Sequence, residues 1–196
     1  MNPVNTKPYH LPSDATWFIT GCSSGIGRAL CELIASKPTH RLIATARNPA
    51  ALSYLPDDNP NILKLPLDVS SVTSVDQAFK AAADHFGGGA DNKFTIDVLV
   101  NNAGYPLAGD TEAATEEEMH AQLETNFFGT VRVTTRGVAV MRQHKDRRGG
   151  GLVFNLSSVA GVAGFPGYAF YHASKFAVEG WSESFARELH PDWNSE

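Results

Sequence analysis

Tyr171 and Lys175 are four residues apart, in the segment Tyr171-His172-Ala173-Ser174-Lys175, and Ser158 lies thirteen residues before Tyr171. On a helix, the Tyr171 and Lys175 side chains fall on one face, one turn apart. An ammonium beside a phenol favours the phenolate. Bringing a phenol from a pKa of about 10 to about 7 takes about 4 kcal/mol. One charge about 4 Å away in a partly screened site supplies energy of that order. A phenol tuned in this way passes a proton to or from an alcohol near neutral pH. The pair alone is a weak signal, because lysine is common on helices and tyrosine is common in cores. Its weight depends on what lies upstream.

Upstream stands Thr20-Gly21-Cys22-Ser23-Ser24-Gly25-Ile26-Gly27, between the apolar run Trp17-Phe18-Ile19 and the helical pattern that starts at Arg28. Strand, Gly-rich turn and helix is the context in which glycines cradle a pyrophosphate. A helix start adds unpaired N–H groups and the positive end of a dipole. The spacing is Gly-x-x-x-Gly-x-Gly, not Gly-x-Gly-x-x-Gly. Taken alone, it is equally compatible with a tight turn of small residues.

A third element narrows the choice. The buried-strand pattern Ile96-Asp97-Val98-Leu99-Val100 runs directly into Asn101-Asn102-Ala103-Gly104. With these residues in view, the chain resembles the short-chain dehydrogenase/reductase family. The shared marks, in order, are Thr-Gly-x-x-x-Gly-x-Gly, Asn-Asn-Ala-Gly, a serine thirteen positions before a tyrosine, and Tyr-x-x-x-Lys. The resemblance runs from Ala15 to Leu189. The wording of the first and last motifs looks like the hydroxysteroid and retinol dehydrogenase-like branch.

The resemblance implies a set of roles. Gly21, Ser23, Ser24, Gly25, Ile26 and Gly27 form the pyrophosphate turn. Asp68 contacts adenine with Val69 beside it, although a plain turn carboxylate is the alternative for Asp68. Asn101, Ala103 and Gly104 shape the adenosine side of the cleft, although Asn101 could simply close the turn after its strand. Ser158 hydrogen-bonds a substrate oxygen and stabilises the charge that develops there. Tyr171 is the proton donor. Lys175 supports it and holds the nicotinamide ribose, so Tyr171 and Lys175 both touch the cofactor. Asn126 holds a water that links to the lysine; an asparagine in mid-helix is unfavourable by propensity and needs some such local reason. Ser157, immediately before Ser158, is the alternative for that serine and otherwise reads as a turn residue. Tyr168 is a decoy, because His172 rather than a lysine follows it by four. Tyr168 and Phe165 are expected to face the substrate or the loop, and His172 to lie on a helix surface.

In dinucleotide folds an acidic residue about twenty positions beyond the glycines holds a ribose 2′-hydroxyl, whereas a nearby arginine suits a 2′-phosphate. Twenty positions past Gly27 stands Arg47, and no Asp or Glu occupies Ala44-Thr45-Ala46-Arg47-Asn48. A guanidinium fits a phosphate and has no use for a lone hydroxyl. NADP(H) is therefore the expected cofactor, with NAD(H) possible.

Composition bounds the rest. The chain has 196 residues, 42% hydrophobic and 19% charged, which suits one globular domain. A net charge of -5 without a basic cluster beyond Arg147-Arg148 argues against nucleic acid. The two cysteines, Cys22 and Cys31, read as small reduced side chains of an intracellular protein. The seven histidines show no metal-ligand spacing, so no metal is expected. No apolar run is long enough to span a bilayer. Residues 1–14 contain three prolines and no hydrophobic region, and read as a flexible lead before a single domain over 15–196. A cytoplasmic protein is the expectation.

Strand and helix patterns then alternate. Strands are expected at Thr16–Thr20, Arg41–Ala46, Ile62–Leu67, Ile96–Val100 and Leu152–Leu156. Helices are expected from Gly25 to near Pro38, Val72–Phe86 capped by Ser71, Thr115 to about Gln143, and Tyr168 to His190, with a short helical piece at Ala50–Leu55. Gly87–Asn92 and Lys145–Gly151 read as links. This alternation argues for an α/β fold, a Rossmann-type doubly wound parallel sheet covered on both faces. Members of the resembled family continue with two more strands and a substrate-covering segment, so the sheet is expected to be incomplete at the C-terminus.

The resulting expectation is an NADP(H)-dependent oxidoreductase for a hydrophobic secondary alcohol or ketone. Apolar residues after the fourth and fifth strands, among them Tyr105, Val159, Val162 and Phe165, would wall its cleft. A homodimer is expected by resemblance, through the helices that hold Asn126 and Tyr171. One alternative is a catalytically inactive NADP(H)-binding module. A sugar-nucleotide epimerase also uses Tyr-x-x-x-Lys, but usually with Gly-x-x-Gly-x-x-Gly.

Overall fold

Runs of β-branched and large apolar residues, short and almost free of proline, form five strands. These are β1 (Thr16–Ile19), β2 (Arg41–Ala46), β3 (Ile62–Pro66), β4 (Val98–Asn101) and β5 (Leu152–Asn155). All neighbours pair in parallel, in the order β3-β2-β1-β4-β5. The chain winds outward from β1 to β3, then crosses to the far side of β1 to lay down β4 and β5. Strand order therefore reverses between β1 and β4, which in such sheets is where a crevice opens for ligands. The computed structural model describes residues 10–87, 94–143 and 150–189. The lead through Tyr9, most of the two expected links and the end from His190 lie outside the described residues.

Helices cover both faces, which is why β2 and β4 are buried almost throughout instead of alternating. On one face Phe18, Ile43 and Leu99 meet α2 (Val72–Phe86) through Val75, Phe79 and Ala82, and α4 (Gly129–Arg142) through Val133 and Met141. Phe18 and Phe79 stack with ring centroids 4.6 Å apart. On the other face Ile19, Leu42 and Val98 meet α1 (Gly25–Ala35) through Cys31 and Ile34. The result is a doubly wound α/β sheet of Rossmann type.

Caps decide where the helices begin. Ser71 accepts the Ser74 N–H at 3.2 Å to start α2. Thr115 and Glu118 form a reciprocal capping box, at 2.9 and 3.2 Å, to start α3 (Glu116–Leu123). The single helix expected from Thr115 to Gln143 is interrupted. Residues Glu124–Phe128 widen into a π-helical turn before α4 begins. Such bulges carry a side chain that an α-helix would aim elsewhere, often at functional sites. Here it carries Asn126. The last helix, α5 (Ala169–Glu188), lies beside α4 and β5. The helical piece expected near Ala50–Leu55 is a short 3-10 turn, Pro49–Leu52.

Candidate active site

The glycines after β1 are required by contact as well as by conformation. Gly21 has φ +70°, and a Cβ there would stand 2.7 Å from Ala103 Cα. A Cβ on Gly27 would stand 2.4 Å from the Gly21 carbonyl oxygen and 2.5 Å from Asn102 Nδ2. The turn after β1 is thus pressed against the turn after β4. Gly25, at φ +56°, faces open space instead. Ser24 occupies the N-cap of α1 without a side-chain cap bond. The first N–H groups of the helix are left for a ligand.

Two side chains bolt the turns together. The Thr20 hydroxyl accepts the N–H groups of Asn102 and Ala103, both at 3.0 Å. The Asn102 amide donates to the carbonyls of Thr20 and Gly21, both at 2.9 Å. Sequence reasoning singled out neither residue for this. The signal was available, since each adjoins a glycine motif and is polar at a strand end. Asn101 behaves differently. It is buried, donates to Thr134 Oγ1 and Asn155 Oδ1 at 2.8 Å each, and does not line the cleft. The structure therefore brings Asn102, Ala103 and Gly104 to the cleft and leaves Asn101 beneath it, between β5 and α4.

The cleft has a volume of about 550 Å³ and runs from Ser23, Ser24 and Ile26 past Arg47 and Asp68 to Gly104 and Thr125. Arg47 is exposed at its rim. Asp68 Oδ1 accepts both the N–H and the hydroxyl of Ser70, at 3.0 and 2.6 Å, so the carboxylate also holds its own turn. Val69 is buried against Gly129, where a Cβ would lie 2.6 Å from Val69 Cγ2. A cleft walled by positive-φ glycines and an uncapped helix start, with a guanidinium at its edge, suits a dinucleotide.

At the inner end of the cleft three residues converge. A Cβ on Gly104 would lie 2.9 Å from Asn126 Oδ1 and 3.9 Å from Lys175 Nζ. Lys175 is buried, donates to the Leu156 carbonyl at 2.7 Å and lies 5.8 Å from the Tyr171 ring centroid. Burial holds its ammonium below the usual lysine range. Asn126 accepts the Tyr105 N–H at 3.1 Å and donates to the Tyr105 carbonyl at 2.9 Å and to Ser174 Oγ at 3.1 Å. The local reason for this helical asparagine is therefore a clamp on the loop after β4. Gln122, fully buried one turn earlier, adds to it by donating to the Tyr105 carbonyl at 2.8 Å and accepting from Leu107 N–H. A glutamine four residues before the asparagine was the sign available for it.

Ser158 opens the short turn Val159–Gly161, and its hydroxyl accepts the Ala160 N–H at 3.2 Å. Ser157 differs from it, since its hydroxyl is buried, has no partner among the described residues and faces Gly161. His172 is not a surface residue. It is 7% exposed, with both ring nitrogens engaged by the segment 160–165. The reason is that the loop after β5 folds back over the first turn of α5 and covers it. Around this site Tyr105, Val159, Val162, Phe165 and Tyr168 expose 40–70% of their surface.

The family model for short chain dehydrogenases matches residues 15–193. The chain belongs to that family. Oxidoreductase calM of Penicillium decumbens is 70% identical over 194 residues, covering 99% of this chain and 62% of that protein. The chain thus spans less than two thirds of that relative. A short-chain dehydrogenase from Streptomyces avermitilis superposes with a TM-score of 0.79 at 34% identity, covering 90% of this chain and 61% of that one. The alcohol dehydrogenase of Thermococcus sibiricus, complexed with 5-hydroxy-NADP, superposes at 0.77 with 26% identity, covering 89% and 71%. Among the described residues no helix is long and apolar enough to cross a membrane.

Proposed function

We propose that the chain is the cofactor-binding and catalytic part of an NADP(H)-dependent oxidoreductase that interconverts a hydrophobic secondary alcohol and its ketone. The observation that carries this is the meeting of Gly104, Asn126 and Lys175 at the inner end of a glycine-walled cleft, with Tyr171 beside the lysine. A nicotinamide dinucleotide, when bound, supplies or accepts the hydride. Gly21, Gly25, Gly27 and the start of α1 would hold its pyrophosphate, with Ser23, Ser24 and Ile26 lining the turn. Asp68, Val69, Ala103 and Gly104 flank the adenosine side. The Thermococcus alcohol dehydrogenase, with its NADP derivative, supports the cofactor and the alcohol chemistry alike.

In the direction of reduction, Ser158 hydrogen-bonds the carbonyl oxygen and Tyr171 gives it a proton. Lys175 stabilises the negative charge left on the phenol and would hold the nicotinamide ribose of a bound cofactor. Asn126 spends one Oδ1 lone pair on Tyr105 and keeps another for a water that returns the proton. The exposed Val159, Val162, Phe165, Tyr168 and Tyr105 side chains favour a substrate with an apolar body. The reading extends to a cytoplasmic homodimer. Two free thiols support a reducing compartment, and exposed Phe128 and Phe176, on the helical segments that carry Asn126 and Tyr171, support a self-association face, which sedimentation tests.

Arg47 gives the cofactor choice its test. A charge-assisted bond to a 2′-phosphate is worth about 1.5–3 kcal/mol, so Arg47→Ala is expected to weaken NADPH about tenfold or more. NADH, which lacks that phosphate, should bind the variant as it binds the parent. Fluorescence titration with both cofactors reads this directly. An equal loss for NADH and NADPH would contradict the assignment.

A further inference from the structure

We propose that His172 is a positioning residue, a neutral two-point clamp that fixes the loop of Ser158 and the apolar wall onto the helix of Tyr171 and Lys175. Its consequence for turnover rests on the oxidoreductase reading above; the clamp itself does not.

The protonation state follows from the partners. His172 Nδ1 lies 3.0 Å from the Ala160 carbonyl oxygen, which can only accept, so Nδ1 carries the proton. The Phe165 N–H donates to Nε2 at 3.1 Å, so Nε2 carries the lone pair. Only the neutral Nδ1–H ring satisfies both bonds. Either other form would set N–H against N–H in a site that is 7% exposed.

The clamp reaches Ser158 through a single peptide turn. Ala160, whose carbonyl is held by His172, donates its own N–H to Ser158 Oγ at 3.2 Å, and Gly161 N–H bonds the Ser158 carbonyl at 2.9 Å. Gly161 rests on α5 so closely that a Cβ would meet Glu179 Cγ at 3.0 Å and the Lys175 carbonyl at 3.2 Å. At the other end, the Phe165 ring packs on the imidazole with centroids 5.5 Å apart. Three glycines, Gly161, Gly164 and Gly167, make this stretch costly to order. His172 is adjacent in sequence to Tyr171, so holding the loop at His172 holds Ser158 in register with the phenol.

The test compares His172→Leu, which can make neither bond, with His172→Gln. A glutamine amide spaces its donor and acceptor across one carbon, as the ring spaces its two nitrogens. In the full chain, ring-nitrogen NMR is expected to show the Nδ1–H tautomer at neutral pH, with the Phe165 amide protected from hydrogen exchange. Protection should be lost in His172→Leu and return in His172→Gln. With NADPH and a ketone, kcat should fall about 100-fold in His172→Leu, the effect of a displacement near 1 Å. Cofactor affinity should stay at the parent value, and His172→Gln should recover most of kcat. An Nε2–H or charged ring, an unprotected Phe165 amide in the parent, or parental kcat in a folded His172→Leu would overturn the proposal. If His172→Leu does not fold, the parent tautomer and the glutamine variant decide. If the parent shows no turnover, the oxidoreductase reading fails, and the NMR and exchange results decide the clamp alone.

Discussion

Tyr171→Phe is expected to lower kcat by about 10²–10⁴-fold, the range that a positioned proton donor contributes, while NADPH binds as before. The substitution keeps the ring, whose centroid lies 6.3 Å from that of His172 and 5.8 Å from Lys175 Nζ, and removes only the hydroxyl. Fold and cleft should therefore survive. Steady-state turnover with NADPH and a ketone, beside a cofactor titration of the same sample, separates the two effects. Parental kcat in the variant would remove Tyr171 from the chemistry. A matching loss of cofactor affinity would instead make it a structural residue.

Gly27→Ala is expected to damage both cofactor binding and stability. The added methyl group would meet the Gly21 carbonyl oxygen at 2.4 Å and Asn102 Nδ2 at 2.5 Å. Neither can give without breaking the bonds by which Asn102 holds Thr20 and Gly21. Overpacking of this kind costs about 1–3 kcal/mol, which corresponds to about fivefold to 150-fold in an equilibrium constant. Gly25→Ala is the control. Its Cβ enters open space, so its cost to the fold is about 1–2 kcal/mol for the left-handed backbone alone. Chemical denaturation and NADPH titration of the two variants measure this. Equal stability of Gly27→Ala and the parent would show that the two turns are not pressed together.

Much of the frame was legible in the sequence because the signals were local. Apolar runs bounded by glycine and proline mark the strands, and Ser71 and the Thr115–Glu118 box mark helix starts through bonds three residues long. The candidate site was legible to the extent that the glycine turn, Asn-Asn-Ala-Gly and Ser158 follow the ends of β1, β4 and β5, where parallel topology gathers them. What escaped was set by contacts distant in sequence. The π-helical turn at Glu124–Phe128 exists where Asn126 reaches Tyr105, twenty-one residues away in sequence, and periodicity cannot register such a bond. Asn101 and Asn102 look alike as letters, yet the alternation of a strand sends one under the sheet and the other into the cleft. His172 looked like a surface residue because the loop that covers it is written in glycine and alanine, which carry no pattern.

Helix and loop therefore meet at one corner of the sheet, and the reaction proposed for this corner is the reduction of a ketone at the expense of NADPH. The most direct measurement is the loss of nicotinamide absorbance when the purified chain meets NADPH and ketones of increasing apolar bulk. Saturable oxidation of NADPH, faster with the more apolar ketones and faster than with NADH, is the expected result. Tight NADPH binding without turnover across the whole panel would contradict the catalytic claim and leave a cofactor-binding module in its place.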